Sequence, residues 1–473
     1  MKKNIIILSL LLSILSLKSY SQSTTESTGS TKGPNAFPEL INTNIPGAPT
    51  LGKPQLIIGT TLPLIGGGMG WAAPAVYDWD GDGNQDLLIG EFGSGYEHGN
   101  AVGNFIRVYK NTGSNTVPEF SNRFNYARHA RYPYEKSPNG TPISVYTWCC
   151  LAFTPQFIDL DNDGFKDLIT GQYNPGEVTW FRGTENGFLP GVKLEQAGNP
   201  SAKKDSSLPD SDPKSWMYWN YSSASFGDFD GDGDDDLITG GSTLRISENI
   251  GSKTKPRFGL RKPLLDTNDN PLRVYQPTEE ELKKYPSMGS SATGTSAMPL
   301  VVDWDKDGVL DLLVTGIYHK KGESAVTFFR GVKTHKGHRF KPGKPLFSAK
   351  DGGKSFPGSW LVAYVTDWNS DGVNDLLIGT SVATINGGEF SHKLSWSWEA
   401  DTKILKKNYG LNYDYDTLAY AEKMMEQAKK DPKYAKRRVE NVRERYGYLL
   451  DGGDPSLIHQ GYVYVMLGKK REK

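Results

Sequence analysis

Asp78-Trp79-Asp80-Gly81-Asp82-Gly83-Asn84-Gln85-Asp86, followed at once by Leu87-Leu88-Ile89-Gly90, is the stretch on which the fold turns. It returns as DLDNDGFKD from Asp159 to Asp167, then LITG. Three more copies follow: DFDGDGDDD from Asp228 to Asp236, DWDKDGVLD from Asp303 to Asp311, and DWNSDGVND from Asp367 to Asp375. The five starts are 81, 69, 75 and 64 residues apart. Self-similarity at such spacing marks a repeat architecture.

The chemistry of the nine residues is legible. Oxygen ligands fall at positions 1, 3, 5 and 9: Asp78, Asp80, Asp82, Asp86; Asp159, Asp161, Asp163, Asp167; Asp228, Asp230, Asp232, Asp236; Asp303, Asp305, Asp307, Asp311; and Asp367, Asn369, Asp371, Asp375. Position 7 is Asn84, Phe165, Asp234, Val309 and Val373 in turn, and this indifference to side chain suggests a backbone carbonyl ligand. Position 6 is always Gly, which accepts the positive φ of a sharp turn. Hard oxygen donors at this density select Ca²⁺. One such loop is an ordinary Asp-Gly turn. Five, each joined to the same kind of apolar strand, form a set, and their clustered carboxylates would repel one another without cations. About five structural calcium ions are expected, each pinning a strand-to-strand turn.

The pattern D-x-[DN]-x-D-G-x-x-D-L-[LI] resembles the FG-GAP/VCBS repeat of integrin-α-like β-propellers. The resemblance implies one four-stranded blade per repeat, with calcium between strands one and two. Strand one precedes the loop, as in Pro74 to Tyr77, and strand two is the run after it. Strand three is IRVYKN (106–111), EVTWFRG (177–183), TLRISEN (243–249), AVTFFRG (325–331) and YVYVMLG (462–468). Strand four is expected to start near Phe120, Phe188, Phe258 and Phe340. The last repeat has no fourth strand, and a spare strand-like stretch lies between Phe37 and Leu64. The expectation is an all-β, five-bladed propeller, with six or seven blades as alternatives, spanning 37–473 and closed by that N-terminal stretch.

Composition agrees with many short strands and tight turns. Gly is 53 of 473 residues, and Phe, Trp and Tyr number 19, 11 and 24. Lys+Arg and Asp+Glu are 54 each, which excludes the basic footprint of a nucleic-acid binder. Lys2 and Lys3, the apolar run from Ile5 to Leu17 and the small residues around Tyr20 read as a cleaved signal peptide over 1–21. The run is shorter than the ~20 residues of a spanning helix, and no transmembrane segment is expected. Residues 22–36 read as a flexible leader. The expected product is secreted or periplasmic, and monomeric.

Strand one–two and three–four loops are short and share one face. The long connections, at 121–148, 190–222, 263–297 and 381–460, lie on the other, so binding is assigned to the face opposite calcium. Trp71 and Trp360, with Tyr221, stand seven residues before their motifs and should ring the axis, with Trp148 and Trp219 nearby. Flat aromatics suit sugar rings, and they also suit axial packing. Trp79, Trp304 and Trp368, at position 2, read as packing between blades. Cys149 and Cys150 are adjacent, and in an exported protein a strained vicinal disulfide walling the pocket is expected over two free thiols. Residues 414–450 read as a helical hairpin inserted in the last blade. One helix is capped by Asp416, and a second starts at Asp431-Pro432 and stops at Gly447. His129, Arg131 and Tyr132 are weak acid/base candidates on a long loop. The partner expected is an extracellular polysaccharide or a cell-surface protein. The alternative is a polysaccharide-cleaving lyase or glycoside hydrolase using the same face.

Overall fold

The computed structural model describes residues 37–66, 70–92, 104–130, 141–145, 153–172, 177–194, 223–240, 244–274, 297–316, 324–384, 418–450 and 458–471. Five antiparallel sheets follow one another along the chain. Blade 1 is Ala73–Tyr77, Asp86–Gly90, Ile106–Tyr109 and Asn125–Tyr126. Blade 2 is Gln156–Ile158, Asp167–Gly171, Val178–Phe181 and Val192–Lys193. Blade 3 is Ala224–Gly227, Asp236–Thr239, Arg245–Ser247 and Lys262–Pro263. Blade 4 is Ala297–Val302, Asp311–Gly316, Thr327–Phe329 and Lys344–Pro345. Blade 5 joins Ser359–Thr366, Asp375–Thr384 and Ile458–Met466 to Gln55–Leu56 and Ile65–Gly66 of the N-terminal stretch. The arrangement is a five-bladed β-propeller.

Register explains why the apolar runs after each loop are strand two. Leu168 pairs with Phe157 on one side and Phe181 on the other, and Leu312 pairs with Val301 and Phe329. A strand with neighbours on both edges and blades on both faces is buried throughout, so it reads as a continuous apolar run rather than an alternation. Leu87, Leu168, Leu237, Leu312 and Leu376 are all fully buried.

Strand four begins four or five residues later than expected. Phe120, Phe188, Phe258 and Phe340 instead pair across the three–four hairpin with Asn111, Gly183, Asn249 and Gly331. There they lock blades together. Trp79 of blade 1 stacks on Phe188 of blade 2 at 5.4 Å, and Trp368 of blade 5 on Phe120 of blade 1 at 5.8 Å. Phe229 of blade 3 meets Phe340 of blade 4 at 6.1 Å, and Leu160 shares a buried cluster with Phe258. Trp304, 0% exposed, packs in a core that includes Ile45 and Ala48 of the N-terminal stretch, which occupies the place that a hairpin Phe takes elsewhere. Position 2 is thus the seam residue of every blade, and the N-terminal stretch closes the ring.

The helical hairpin lies between strands two and three of blade 5. Helix α1 is Leu418–Lys429 and α2 is Ala435–Leu450. Ala421, Met425 and Ala428, at helical spacing, are buried, as is Val442. Asp431 Oδ1 accepts the Lys433 and Tyr434 amides in the turn before α2. The second helix starts three residues beyond Pro432 and runs through Gly447 to Leu450. One glycine costs a helix only ~1 kcal/mol, too little to stop it alone.

Candidate functional site

Each nine-residue loop is held by its own carboxylates. Position 1 Oδ2 accepts the position 6 amide in all five blades: Asp78 from Gly83, Asp159 from Gly164, Asp228 from Gly233, Asp303 from Gly308 and Asp367 from Gly372, at 2.9–3.1 Å. Position 5 Oδ1 accepts the position 7 amide, as Asp163 does from Phe165 at 2.9 Å. Position 6 glycines have φ between 81° and 93°. Position 4 is left-handed as well, whatever stands there: Gly81, Asn162, Gly231, Lys306 and Ser370 have φ from 52° to 85°. Lys306 and Ser370 hid that constraint from the sequence.

Position 9 plays a double part. The buried carboxylates of Asp86, Asp167, Asp236, Asp311 and Asp375 each accept the position 2 amide through Oδ2. Through Oδ1 they accept an amide just beyond strand three, from Asn111, Gly183, Asn249, Gly331 and Gly468. This acid fastens the loop to the blade. Burial pushes its carboxyl up, to about 7 in Asp86, Asp236 and Asp311 and to about 6 in Asp167. Each oxygen keeps a second lone pair, so position 9 can still face a cation.

Ligand atoms converge within 4.8 Å of one another in four loops: Asp78, Asp80 and Asp82; Asp159, Asp161 and Asp163; Asp228, Asp230 and Asp232; and Asp303, Asp305 and Asp311. At position 3, Asp161 Oδ1, Asp305 Oδ1 and Asn369 Oδ1 are buried with no hydrogen-bond partner among the described residues. A buried oxygen without a donor is costly, and a hard cation at the loop centre would satisfy it. The donor set therefore fits calcium. A basic side chain from the end of strand three reaches three of the loops. Lys110 contacts Asp80 and Asp82, Arg182 contacts Asp161 and Asp163, and Arg330 contacts Asp305 and Asp307. Sequence reasoning passed over these cations, although Lys or Arg closes strand three in all three cases.

The motifs, the loops and the sheets converge with one comparison. Residues 159–239 match the family model described as FG-GAP-like repeat. The chain is a five-bladed β-propeller that carries an FG-GAP-like repeat over 159–239. It is similar to a thermostable family-43 glycoside hydrolase at 14% identity and a TM-score of 0.36, over 68% of this chain and 87% of that one. It is also similar to a subtype N11 neuraminidase-like protein of a flat-faced bat strain, at 10% identity and a TM-score of 0.31, over 72% and 95%. No curated protein matches. Among the described residues no helix is long and apolar enough to cross a membrane.

On the propeller face opposite the loops, Trp71 and Trp360 meet edge to face, ring centroids 5.4 Å apart. Ala73, Met298 and Val362 from the first strands of blades 1, 4 and 5 complete this axial cluster. The structure corrects the expectation for Trp71, which is only 3% exposed and so cannot offer a stacking face. Its Nε1 has no hydrogen-bond partner among the described residues. Trp360 is half-buried and stands at φ 58°, inside a register shift between Ser359 and Val362. An indole in the left-handed region is strained, and such strain collects at functional positions. His129 Nδ1 lies 3.1 Å from the Phe188 carbonyl, well away from the axis on the outer part of blade 1. Trp148, Cys149, Cys150, Trp219, Tyr221, Arg131 and Tyr132 lie outside the described residues.

Proposed function

We propose that the protein is an exported, calcium-stabilised propeller that binds an extracellular glycan on the face opposite its aspartate loops. Calcium bound in the loops would supply positive charge to the clustered carboxylates and fix the turns, leaving the blades as a rigid frame. The observation that carries the glycan reading is the axial indole pair. Trp360 is held in a strained conformation, and against it packs Trp71, whose N–H has no acceptor among the described residues. The half-buried indole of Trp360 offers a face that suits the C–H face of a sugar.

A glycan array probed with calcium-loaded protein tests this reading. Wild-type protein should retain at least one glycan class, and Trp360→Ala should weaken that binding about tenfold, the scale of ~1 kcal/mol per aromatic contact. No retained glycan, or unchanged binding by Trp360→Ala, overturns the axial site. Reducing-sugar and unsaturated-uronate assays on the retained glycans separate the binder from a cleaving enzyme.

A further inference from the structure

Blades 2 and 4 are built on almost the same third strand: Glu177-Val178-Thr179-Trp180-Phe181-Arg182-Gly183 against Ala325-Val326-Thr327-Phe328-Phe329-Arg330-Gly331. Their registers match, with Leu168 opposite Phe181 and Leu312 opposite Phe329. Their fourth strands approach equally closely. A Cβ on Gly191 would lie 2.6 Å from the Phe181 ring and 2.8 Å from Thr179 Cγ2, and one on Gly343 would meet Phe329 and Thr327 at the same distances. Leu194 and Leu346 close the two sheets alike, donating to the Val178 and Val326 carbonyls.

Two of the matched positions that differ put charge in blade 2 where blade 4 is apolar. Where blade 4 has Ala325 and Pro345, blade 2 has Glu177 and Lys193, joined as an ion pair. Glu177 is 5% exposed, and its other oxygen accepts from Gln172 Nε2 at 3.3 Å. Gln172 Oε1 in turn accepts from Thr179 at 3.0 Å. Blade 4 shows that this scaffold closes with an apolar pair, and a buried carboxylate costs free energy unless it is well compensated. The polar set of blade 2 therefore calls for a reason other than the blade.

It lines a cavity of about 480 Å³, within the ~300–1,000 Å³ range of small-molecule sites. Across the seam, His129 and Ser144 of blade 1 complete the wall. Because the Phe188 carbonyl can only accept, His129 Nδ1 is the donor of that contact. The wall thus offers an acceptor in Glu177, donors in the half-exposed Lys193, a hydroxyl on Ser144, the imidazole of His129 and the apolar Val145 and Pro190. The charges of Glu177 and Lys193 offset one another.

We infer that this seam between blades 1 and 2 is a second binding site, for a single neutral sugar residue whose vicinal hydroxyls donate to Glu177 and accept from Lys193. An anionic sugar would meet the Glu177 carboxylate, and a purely apolar ligand would leave the polar wall unpaired. The site stands on the outer strands and shares no residue with the axial indole pair.

The test uses the whole calcium-loaded chain and the double variant Glu177→Ala/Lys193→Pro, which installs the blade 4 pair in blade 2. Glucose, galactose, mannose, N-acetylglucosamine and fucose are the probes, read by saturation-transfer NMR and then by titration. At least one should bind wild type, and its affinity should fall tenfold or more in the double variant. The thermal midpoint should stay within about 2 °C of wild type. Lys193→Ala, at an exposed position, should weaken binding severalfold, and Trp360→Ala should leave it unchanged. No binding by any probe, equal binding by the double variant, loss in Trp360→Ala, or unfolding of the double variant each overturns the inference, the last because it would make the ion pair structural. Failure of the axial reading leaves these outcomes untouched.

Discussion

The aspartate loops of blades 3 and 4 share a backbone and differ in the side chain that looks into them. In blade 4 Arg330 reaches Asp305 and Asp307, both at 2.8 Å, and so places a cation on the cluster. In blade 3 the matched residue is Glu248, which turns to Lys262 at 2.7 Å. Among the described residues no ion pair reaches Asp228, Asp230 or Asp232, and Asp234 and Asp235 add two more acids. Burial and neighbouring carboxylates hold the Asp230 and Asp234 carboxyls above the usual range. Lys110 and Arg182 put blades 1 and 2 with blade 4, whereas Leu467 leaves blade 5 without a charge at this place. One loop design thus exists in three electrostatic versions: a built-in cation, a neutral residue and an extra acid. Dependence on calcium should follow that order, with blade 3 the most dependent.

Chelation gives the largest expected effect. A ligand bound only by the native state stabilises by about 2.7 kcal/mol at 100 times its Kd, for each site. Excess EGTA should therefore lower the calorimetric midpoint markedly. Hydrogen exchange should rise first in Ala224–Gly227 and Asp236–Thr239 of blade 3, and later in Ala297–Val302 and Asp311–Gly316 of blade 4. An unchanged midpoint would remove calcium from the account of stability. Simultaneous exposure of both blades would remove the distinction between them.

Arg330→Gln carries the comparison the other way. Asp305 has a fully buried side chain, and without Arg330 its charge loses its partner. Breaking a buried pair costs ~3–5 kcal/mol, and the partial exposure of Arg330 places this case lower, at about 2 kcal/mol. The loss should appear in EGTA and shrink in millimolar calcium, because the metal replaces the guanidinium. A loss of equal size in both media would make Arg330 a packing residue and not a substitute cation.

Much of this is legible in the sequence. The five loops, the apolar second strands and the position 2 seam residues are local patterns, and local patterns survive into the fold. What lay hidden depends on distance. The start of strand four slipped because Phe120, Phe188, Phe258 and Phe340 serve a neighbouring blade, not their own ladder. The left-handed position 4 was masked by Lys306 and Ser370, whose side chains do not announce positive φ. Lys110, Arg182 and Arg330 stand 19 to 30 residues beyond the carboxylates they meet, on a different strand. The cavity was the least legible, since His129 and Glu177 come together only when two blades close on each other. Trp71 was placed at the axis but not below its surface, because sequence spacing gives a residue's radius and says nothing of what covers it.

Glu248→Arg is the smallest effect and the sharpest test. The substitution exchanges one residue at the end of strand three and gives blade 3 the arrangement of blade 4. In EGTA the new guanidinium should relieve the repulsion among Asp228, Asp230 and Asp232. Glu248 is 40% exposed, so solvent screening limits the gain to about 1 kcal/mol. Loss of the Lys262 partner subtracts little, since that pair is exposed on both sides. In calcium the sign should reverse or vanish, because arginine and metal then compete for the same carboxylates. The midpoint gap between calcium and EGTA should therefore narrow from both ends. Blade 3 exchange in EGTA should fall towards that of blade 4. If the variant shifts both midpoints equally, charge at this position acts on the blade as a whole, and the ordering of the five loops by their inward-facing residue is wrong.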